Sequence, residues 1–151
     1  MTSLRPILLV EDNLNDIELT LAALKQNNVL NEVIVARHGG EGLDYLYRRA
    51  NFQDRTPGNP IVVFLDLKMP KVDGLEVLRN IKGDASLKTI PVVVLTSSRE
   101  EIDLVNSYQL GVNAYVVKPV GFGQFTDAIR QLGMFWAVLN EPPPGTVKRT
   151  G

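Results

Sequence analysis

Residues 61–66, which read Ile-Val-Val-Phe-Leu-Asp, decide the fold of this chain. Their first five positions form an unbroken apolar run rich in Val and Ile, which is typical of a β-strand covered on both faces. Strands of this kind occur in parallel sheets that have helices packed against both sides. The acidic residue that ends the stretch would lie at the carboxyl edge of such a sheet, where ligands bind in open α/β folds.

Four further apolar runs of similar length occur along the chain, at residues 7–10, 33–36, 92–95 and 114–117. They are separated by segments of helical length in which apolar residues recur every three or four positions. The order of strand then helix, repeated five times, predicts an α/β fold. We expect a doubly wound five-stranded parallel sheet with right-handed crossovers.

The first predicted helix shows this periodicity clearly, and either Asn13 or Asn15 can cap its N-terminus. Its predicted apolar stripe consists of Leu14, Ile17, Leu21 and Leu24. A later helix repeats the pattern with Leu75, Leu78 and Ile81. A polar loop at residues 51–60 separates the second predicted helix from the third strand.

Composition excludes several classes of protein. The 151 residues include 16 Lys and Arg, 17 Asp and Glu, and no Cys, so the chain can form neither disulfides nor Cys-ligated metal sites. The formal net charge of −1 and the lack of a long basic stretch argue against binding to nucleic acid. The apolar runs fall far short of the roughly 20 residues that span a bilayer, which argues against a membrane protein.

We therefore expect a protein of the cytoplasm that consists of one domain at residues 5–140. Three consecutive Pro residues at 142–144 indicate a flexible tail at residues 141–151, and no output domain is expected after it.

Polar functional groups follow every predicted strand except the second. They are Glu11 and Asp12 after the first strand, Asp66 after the third, Thr96 after the fourth and Lys118 after the fifth. Because the carboxyl ends of parallel strands meet at one edge of the sheet, we expect these side chains to lie close together.

Three neighbouring carboxylates repel each other unless a cation joins them, and Mg²⁺ is the divalent ion that commonly takes carboxylates together with phosphate oxygens. The cluster therefore predicts phosphoryl chemistry. Asp66, on the central strand, is the predicted nucleophile. Thr96 would hydrogen-bond one phosphoryl oxygen, and Lys118 would form an ion pair with another.

These motifs together resemble the receiver domain of two-component response regulators. The resemblance rests on the acidic pair after the first strand, on Val-Phe-Leu-Asp-Leu-Lys-Met-Pro-Lys-Val-Asp-Gly at 63–74, on Val-Leu-Thr-Ser-Ser at 94–98, and on Lys118 followed by Pro119. It covers residues 6–132 and implies a flavodoxin-like fold with strand order 2-1-3-4-5.

The resemblance also implies a role for each residue of the site. Asp66 would accept a phosphoryl group from a histidine kinase. Asp12, Asp66 and the backbone carbonyl of Lys68 would bind Mg²⁺, with Glu11 acting largely through water. The protein would then catalyse only its own phosphorylation and dephosphorylation.

Two further positions follow from the same resemblance. The peptide bond between Lys118 and Pro119 is expected to be cis. Tyr115 matches the switch aromatic of the family, whose ring would move inward as Thr96 closes on the phosphoryl group.

A narrower similarity concerns the loop at 51–60, the expected absence of an output domain and the ending at 134–142. These features are similar to those of the single-domain response regulators paired with bacterial and cyanobacterial phytochromes, which implies a phytochrome histidine kinase as partner.

The apolar residues 134–139 cannot all be buried by one helix face, so we expect a homodimer. Its patch would include Phe135 and Trp136 beside the fourth helix, fifth strand and fifth helix. The alternative is that this segment folds back onto its own core.

Other interpretations remain open at the level of sequence. A Mg²⁺-dependent phosphatase or phosphotransferase could use the same aspartyl-phosphate intermediate, although Lys68 stands where haloacid-dehalogenase-type enzymes need a general acid/base. A flavodoxin-like flavin site would be repelled by the acidic residues at 11–12. Taken singly, the polar residues at the strand ends could be structural, and the one histidine, His38, is expected to be structural.

Overall fold

The computed structural model of the chain describes residues 4–69 and 73–132. Its elements in chain order are β1 (Ile7–Val10), α1 (Leu14–Gln26), β2 (Val33–Ala36), α2 (Gly39–Tyr47), a short 3₁₀ helix (Ala50–Phe52), β3 (Val62–Asp66), α3 (Gly74–Gly83), β4 (Val92–Thr96), α4 (Arg99–Ser107), β5 (Ala114–Val117) and α5 (Phe122–Gln131). The predicted dimer patch at Phe135 and Trp136 lies outside the described residues, as does the predicted tail.

The five strands form one parallel sheet in the order β2-β1-β3-β4-β5, which confirms the predicted flavodoxin-like fold. The order reverses between β1 and β3, so the carboxyl ends of these two neighbouring strands border the expected ligand crevice. β3 and β4 each run one residue further than the apolar pattern indicated. Asp66 and Thr96 are therefore the last residues of their strands and not the first residues of loops.

Helices cover both faces of the sheet, as its apolar strands predicted, and every residue of β1, β3 and β4 is buried. Because successive residues of a strand face opposite sides, Leu8 and Val10 belong to one core and Ile7 and Leu9 to another. The first core lies against α2, α3 and α4, and the second against α1 and α5. Two cores thus fix the central strands, and the site at their ends stands on a rigid base.

The apolar stripe predicted for α1 is partly wrong. Leu14 and Leu21 are 60% and 37% exposed. The buried side chains of the helix are Ile17, Thr20, Ala23 and Leu24. Burial of Thr20 is possible because its hydroxyl donates a hydrogen bond to the Asp16 carbonyl one turn earlier, so no unpaired polar group enters the core.

Side-chain caps start the helices that flank the site. Asn13, and not Asn15, caps α1 by accepting a hydrogen bond from the Asp16 N–H at 3.0 Å. His38 caps α2 in the same way, with Nδ1 accepting from the Glu41 N–H at 3.1 Å. The side chain of His38 therefore has a structural role, because it caps the N-terminus of α2.

The helices of the first core differ in how firmly they are attached. α3 buries Val77, Leu78 and Ile81, whereas Val105 is the one fully buried side chain of α4.

Within the described residues, no helix combines the length and hydropathy needed to cross a bilayer.

Candidate functional site

The carboxyl ends of the strands bring the predicted polar residues together. Asp66 ends β3, and Glu11 follows β1, where its backbone N–H is fixed by the Ala36 carbonyl at 2.9 Å. Lys118 follows β5, and its backbone N–H donates to the Thr96 carbonyl at 2.7 Å. These backbone bonds hold the first residue beyond each strand and so fix the origins of the side chains.

Three carboxylates meet at this edge. Glu11, Asp12 and Asp66 each place a carboxylate oxygen within 4.8 Å of the others. Glu11 is fully buried, Asp66 is almost fully buried, and Asp12 is partly exposed. Buried carboxylates at such distances repel each other strongly and require a cation.

Lys118 supplies one cation. Its Nζ lies 2.9 Å from Glu11 Oε1, 3.0 Å from Asp16 Oδ2 and 3.2 Å from Asp66 Oδ1. Burial alone would lower the pKa of Lys118, but its contacts with Glu11, Asp16 and Asp66 outweigh burial and raise the pKa above its ordinary value. The side chain is therefore charged at any physiological pH. The peptide bond between Lys118 and Pro119 is cis.

The charge of Lys118 does not fully relieve the cluster. The pKa of Glu11 is raised from 4.5 to about 7: burial is the main cause, the adjacent Asp66 carboxyl adds to it, and Lys118 partly offsets it. The anionic form of Glu11 is therefore disfavoured in this pocket unless further positive charge is present. A second cation would stabilise the ionised cluster.

The donor set fits a hard divalent ion. All three cluster residues offer carboxylate oxygens, which are the ligands that Mg²⁺ and Mn²⁺ prefer, and Asp12 is open to solvent. Glu11 Oε1 is buried and lacks a partner in hydrogen-bonding geometry, since its contact with Lys118 is an ion pair only. The backbone N–H of Lys68 points to Asp66 Oδ1 at 3.3 Å, whereas the predicted role of its carbonyl stays a prediction.

Thr96 adjoins this cluster but is engaged elsewhere. Thr96 is fully buried. Its hydroxyl donates a hydrogen bond to the Ser98 carbonyl at 3.0 Å and accepts one from the Ser98 N–H at 3.3 Å. A phosphoryl oxygen that bonded Thr96 would have to replace these contacts, which close the turn into α4. The predicted switch residue thus connects the site to that helix.

Tyr115 lies on β5, half-buried against the first core, and its hydroxyl donates to Asn106 Oδ1 at 2.6 Å. Asn106 belongs to α4. Sequence analysis did not identify this hydrogen bond because it joins two elements whose relative placement depends on the fold. It ties the predicted switch aromatic to the helix that Thr96 also contacts.

Sequence analysis did not assign a role to three residues near the site. Asp16 contacts Lys118, and its position one helical turn after Asp12 could have indicated that it faces the site. The prediction that no polar functional group follows the second strand was wrong. Arg37 directly follows β2, and its guanidinium donates a hydrogen bond to the Asp12 carbonyl at 3.2 Å. Gly74 begins α3 against β3, and its N–H donates to the Leu67 carbonyl at 3.0 Å.

Fold and site together define the class of this protein. The sequence profile of the response regulator receiver domain matches residues 7–130, and the chain belongs to that family.

Individual relatives agree with this assignment. Response regulator Rcp1 of Synechocystis sp. (strain ATCC 27184 / PCC 6803 / Kazusa) is 38% identical over 130 residues, which cover 86% of this chain and 87% of Rcp1. The solved Mn²⁺-bound form of Rcp1 has a TM-score of 0.72, at 34% identity, and covers 96% of this chain and 99% of that one.

Two further solved structures are similar. The bacteriophytochrome response regulator RtBRR is 63% identical, with a TM-score of 0.87, covering 94% of this chain and 86% of that one. The phosphorylated cyanobacterial phytochrome response regulator RcpA is 40% identical, with a TM-score of 0.72, covering 89% of this chain and 94% of that one.

Proposed function

We propose that this receiver takes a phosphoryl group from a histidine kinase onto Asp66 and signals through the resulting change of conformation. The observation that carries the proposal is the position of Asp66 in an acidic cluster, with Lys118 Nζ 3.2 Å from its Oδ1. Family membership supports it and disfavours the phosphatase alternative.

In the proposed reaction, a carboxylate oxygen of Asp66 attacks phosphorus of a phosphohistidine, the phosphorus–nitrogen bond breaks, and an acyl phosphate forms. The Lys118 ammonium neutralises charge on the transferred oxygens. Glu11, Asp12 and Asp66 would hold Mg²⁺, with Lys68 contributing its carbonyl. When bound, Mg²⁺ supplies electrostatic stabilisation of the phosphoryl oxygens. The protein would catalyse this transfer and the later hydrolysis of its own acyl phosphate, which releases inorganic phosphate to water and restores the Asp66 carboxylate.

Thr96 would then bond a phosphoryl oxygen and give up its contacts with Ser98. Because the same turn begins α4, and Tyr115 is bonded to Asn106 on α4, a change at Thr96 would alter the α4 and β5 surface. This is a local electrostatic event with a distant structural result.

The kinase partner that we propose is a phytochrome. Support comes from RtBRR and RcpA, which are response regulators of a bacteriophytochrome and of a cyanobacterial phytochrome, respectively. We place the receiver at residues 5–140 and the tail at 141–151, and we propose the cytoplasm as its location.

We also propose that the chain forms a homodimer through α4, β5, α5 and the segment carrying Phe135 and Trp136. Exposed large apolar side chains on the described part of this face support it. They are Leu104 on α4, Val117 on β5 and Phe122 on α5. Apolar clusters on a surface are typical of interfaces.

Sedimentation at micromolar concentration tests the dimer. The wild-type protein is expected to sediment as a dimer and Trp136→Ala as a weaker one, because the aromatic side chain is among the residues assigned to the interface. Two monomeric proteins would contradict the proposal. Leu30→Ala, which removes an exposed apolar side chain from another part of the surface, serves as the control.

Intact-mass spectrometry tests phosphorylation directly. With Mg²⁺ and acetyl phosphate, wild type is expected to gain the mass of one phosphoryl group, and Asp66→Asn is expected to gain none because the nucleophile is gone. Chelation of the metal should also prevent the gain. Asp73→Asn, which changes an exposed helix cap, serves as the matched control and should still be phosphorylated. A phosphorylated Asp66→Asn protein would contradict the assignment.

A further inference from the structure

Lys118 forms ion pairs with three carboxylates: Glu11 and Asp66 of the acidic cluster, and Asp16 of α1. Its Nζ lies within 3.2 Å of a carboxylate oxygen of each of Glu11, Asp16 and Asp66, so three ion pairs surround the ammonium. A phosphoryl oxygen that binds Lys118 therefore competes with these ion pairs, and the one that costs least to break would be lost first.

The three carboxylates differ in what such a loss would cost. The side chains of Glu11 and Asp66 are 0% and 4% exposed, so an uncompensated charge on either would stay buried. Asp16, in the first turn of α1, is 18% exposed and can be rehydrated in place. The Asp16 contact is therefore the one that Lys118 can release at least cost.

The carboxylate of Asp16 also opposes an incoming phosphoryl group by charge. It shares the same ammonium with Asp66, so its negative charge lies near the oxygens that phosphorylation adds. A second anion that competes for one cation weakens the binding of the first.

We propose that Asp16 is a positioning residue that competes with the phosphoryl group for Lys118 and so lowers the phosphoryl affinity of the site. The inference rests on the proposed function of Asp66. The first turn of α1, which carries Asp16, thereby helps to determine how readily the receiver is phosphorylated. Asp16 acts through Lys118 and does not itself touch the reacting atoms.

Asp16→Asn removes the charge with little change of structure. Asp16 contributes its backbone N–H to the Asn13 cap and its backbone carbonyl to Thr20, and both groups remain in the variant. Glu18→Gln is the matched control because it makes the same charge change at an exposed position two residues along α1.

The first measurement needs no phosphate and no metal. The side-chain ammonium signal of Lys118, identified by its absence from Lys118→Arg, is followed by ¹⁵N NMR in the presence of a chelator. We expect this signal to shift in Asp16→Asn and to stay in place in Glu18→Gln. A Lys118 signal that is the same in Asp16→Asn and wild type would overturn the inference and leave the proposed function standing.

The second measurement is the affinity for beryllium trifluoride, a stable mimic of a phosphoryl group on a carboxylate, in saturating MgCl₂. We expect Asp16→Asn to bind about threefold to fivefold more tightly than wild type, the effect of one partly exposed ion pair. Glu18→Gln should match wild type, and Asp16→Glu, which restores the carboxylate, should return the affinity toward the wild-type value.

Unchanged or weaker binding by Asp16→Asn would overturn the inference, because Asp16 would then not compete for Lys118. If wild type binds no beryllium trifluoride and gains no phosphoryl mass, the proposed function fails and the inference fails with it. The two failures are therefore distinguishable by the behaviour of wild type.

Discussion

Lys118→Met is expected to slow transfer of a phosphoryl group to Asp66 by about 10²–10³-fold, the usual effect of removing one preorganised group that stabilises charge in a transition state. Met has nearly the length of Lys and no charge, so the variant removes the ammonium that lies 3.2 Å from Asp66 Oδ1. The rate of mass gain from acetyl phosphate, measured in saturating MgCl₂, gives the comparison.

The same variant should be less stable in a way that depends on pH. Without metal, we expect the free energy of unfolding to fall by about 2–4 kcal/mol at pH 8, because Glu11 and Asp66 are left buried without their cation. The pKa of Glu11 is about 7 with Lys118 in place, mainly because of burial, and Lys118 opposes the rise, so removing Lys118 raises this pKa further.

The direction with pH follows from this raised pKa. Below the ordinary pKa of 4.5, Glu11 is protonated in both the folded and the unfolded chain, and its burial as an anion costs nothing. The cost appears as pH rises and is complete above the folded-state pKa. The stability difference between Lys118→Met and wild type should therefore be larger at pH 8 than at pH 5.

Urea unfolding in a chelator at both pH values provides the measurement. Lys88→Met is the control, since it removes an exposed lysine and should stay within about 0.5 kcal/mol of wild type. An equal loss of stability at pH 5 and pH 8 would show that ionisation of Glu11 does not contribute to it. Wild-type transfer rates in Lys118→Met would contradict the catalytic part of the prediction.

The second large effect is expected from Gly74→Ala. A methyl group at this position would overlap the Asp66 carbonyl oxygen and would lie 2.5 Å from Leu67 Cα. Both neighbours are backbone, which cannot move aside without shifting the end of β3 or the start of α3. We expect the free energy of unfolding to fall by about 3 kcal/mol or more, as for other severe overpacking changes.

Gly83→Ala, at the other end of α3, provides the matched control. Apart from the adjacent residues and the helix's own backbone, no described atom lies within 4 Å of the added carbon there, so that variant should be neutral or more stable by up to about 1 kcal/mol. The two variants differ only in which end of one helix carries the methyl group. Equal stabilities by urea unfolding would show that the backbone contact at Gly74 is not restrictive.

The sheet was predictable because its determinants are local. An unbroken apolar run such as residues 61–65 can only be buried on both sides, and five such runs alternating with helices leave few topologies. Site residues at strand ends were predictable for the same reason, because the carboxyl ends of parallel strands share one edge.

What sequence analysis missed depends on the rotation of helices and on close approaches between elements. Leu14 and Leu21 fit the apolar period of α1 but are exposed, because the helix turns Thr20 inward and satisfies its hydroxyl internally. The spacing of Asp16 from Asp12 could have placed Asp16 near the site, but its contact with Lys118 depends on that rotation and on the position of the residue after β5. The tight packing of Gly74 on β3 arises from two backbones, which no side-chain pattern records.

The shallow attachment of α4 makes this helix easier to displace than α3. Displacing this helix exposes one fully buried valine, Val105, at a cost of about 1.5–3 kcal/mol. Coupling free energies between distant sites are of the same size, about 1–3 kcal/mol. α3 buries Val77, Leu78 and Ile81 and would cost several times more to displace. A change at Thr96 that reaches the start of α4 therefore moves this helix at a lower cost than it would move α3, although both helices pack on the same core.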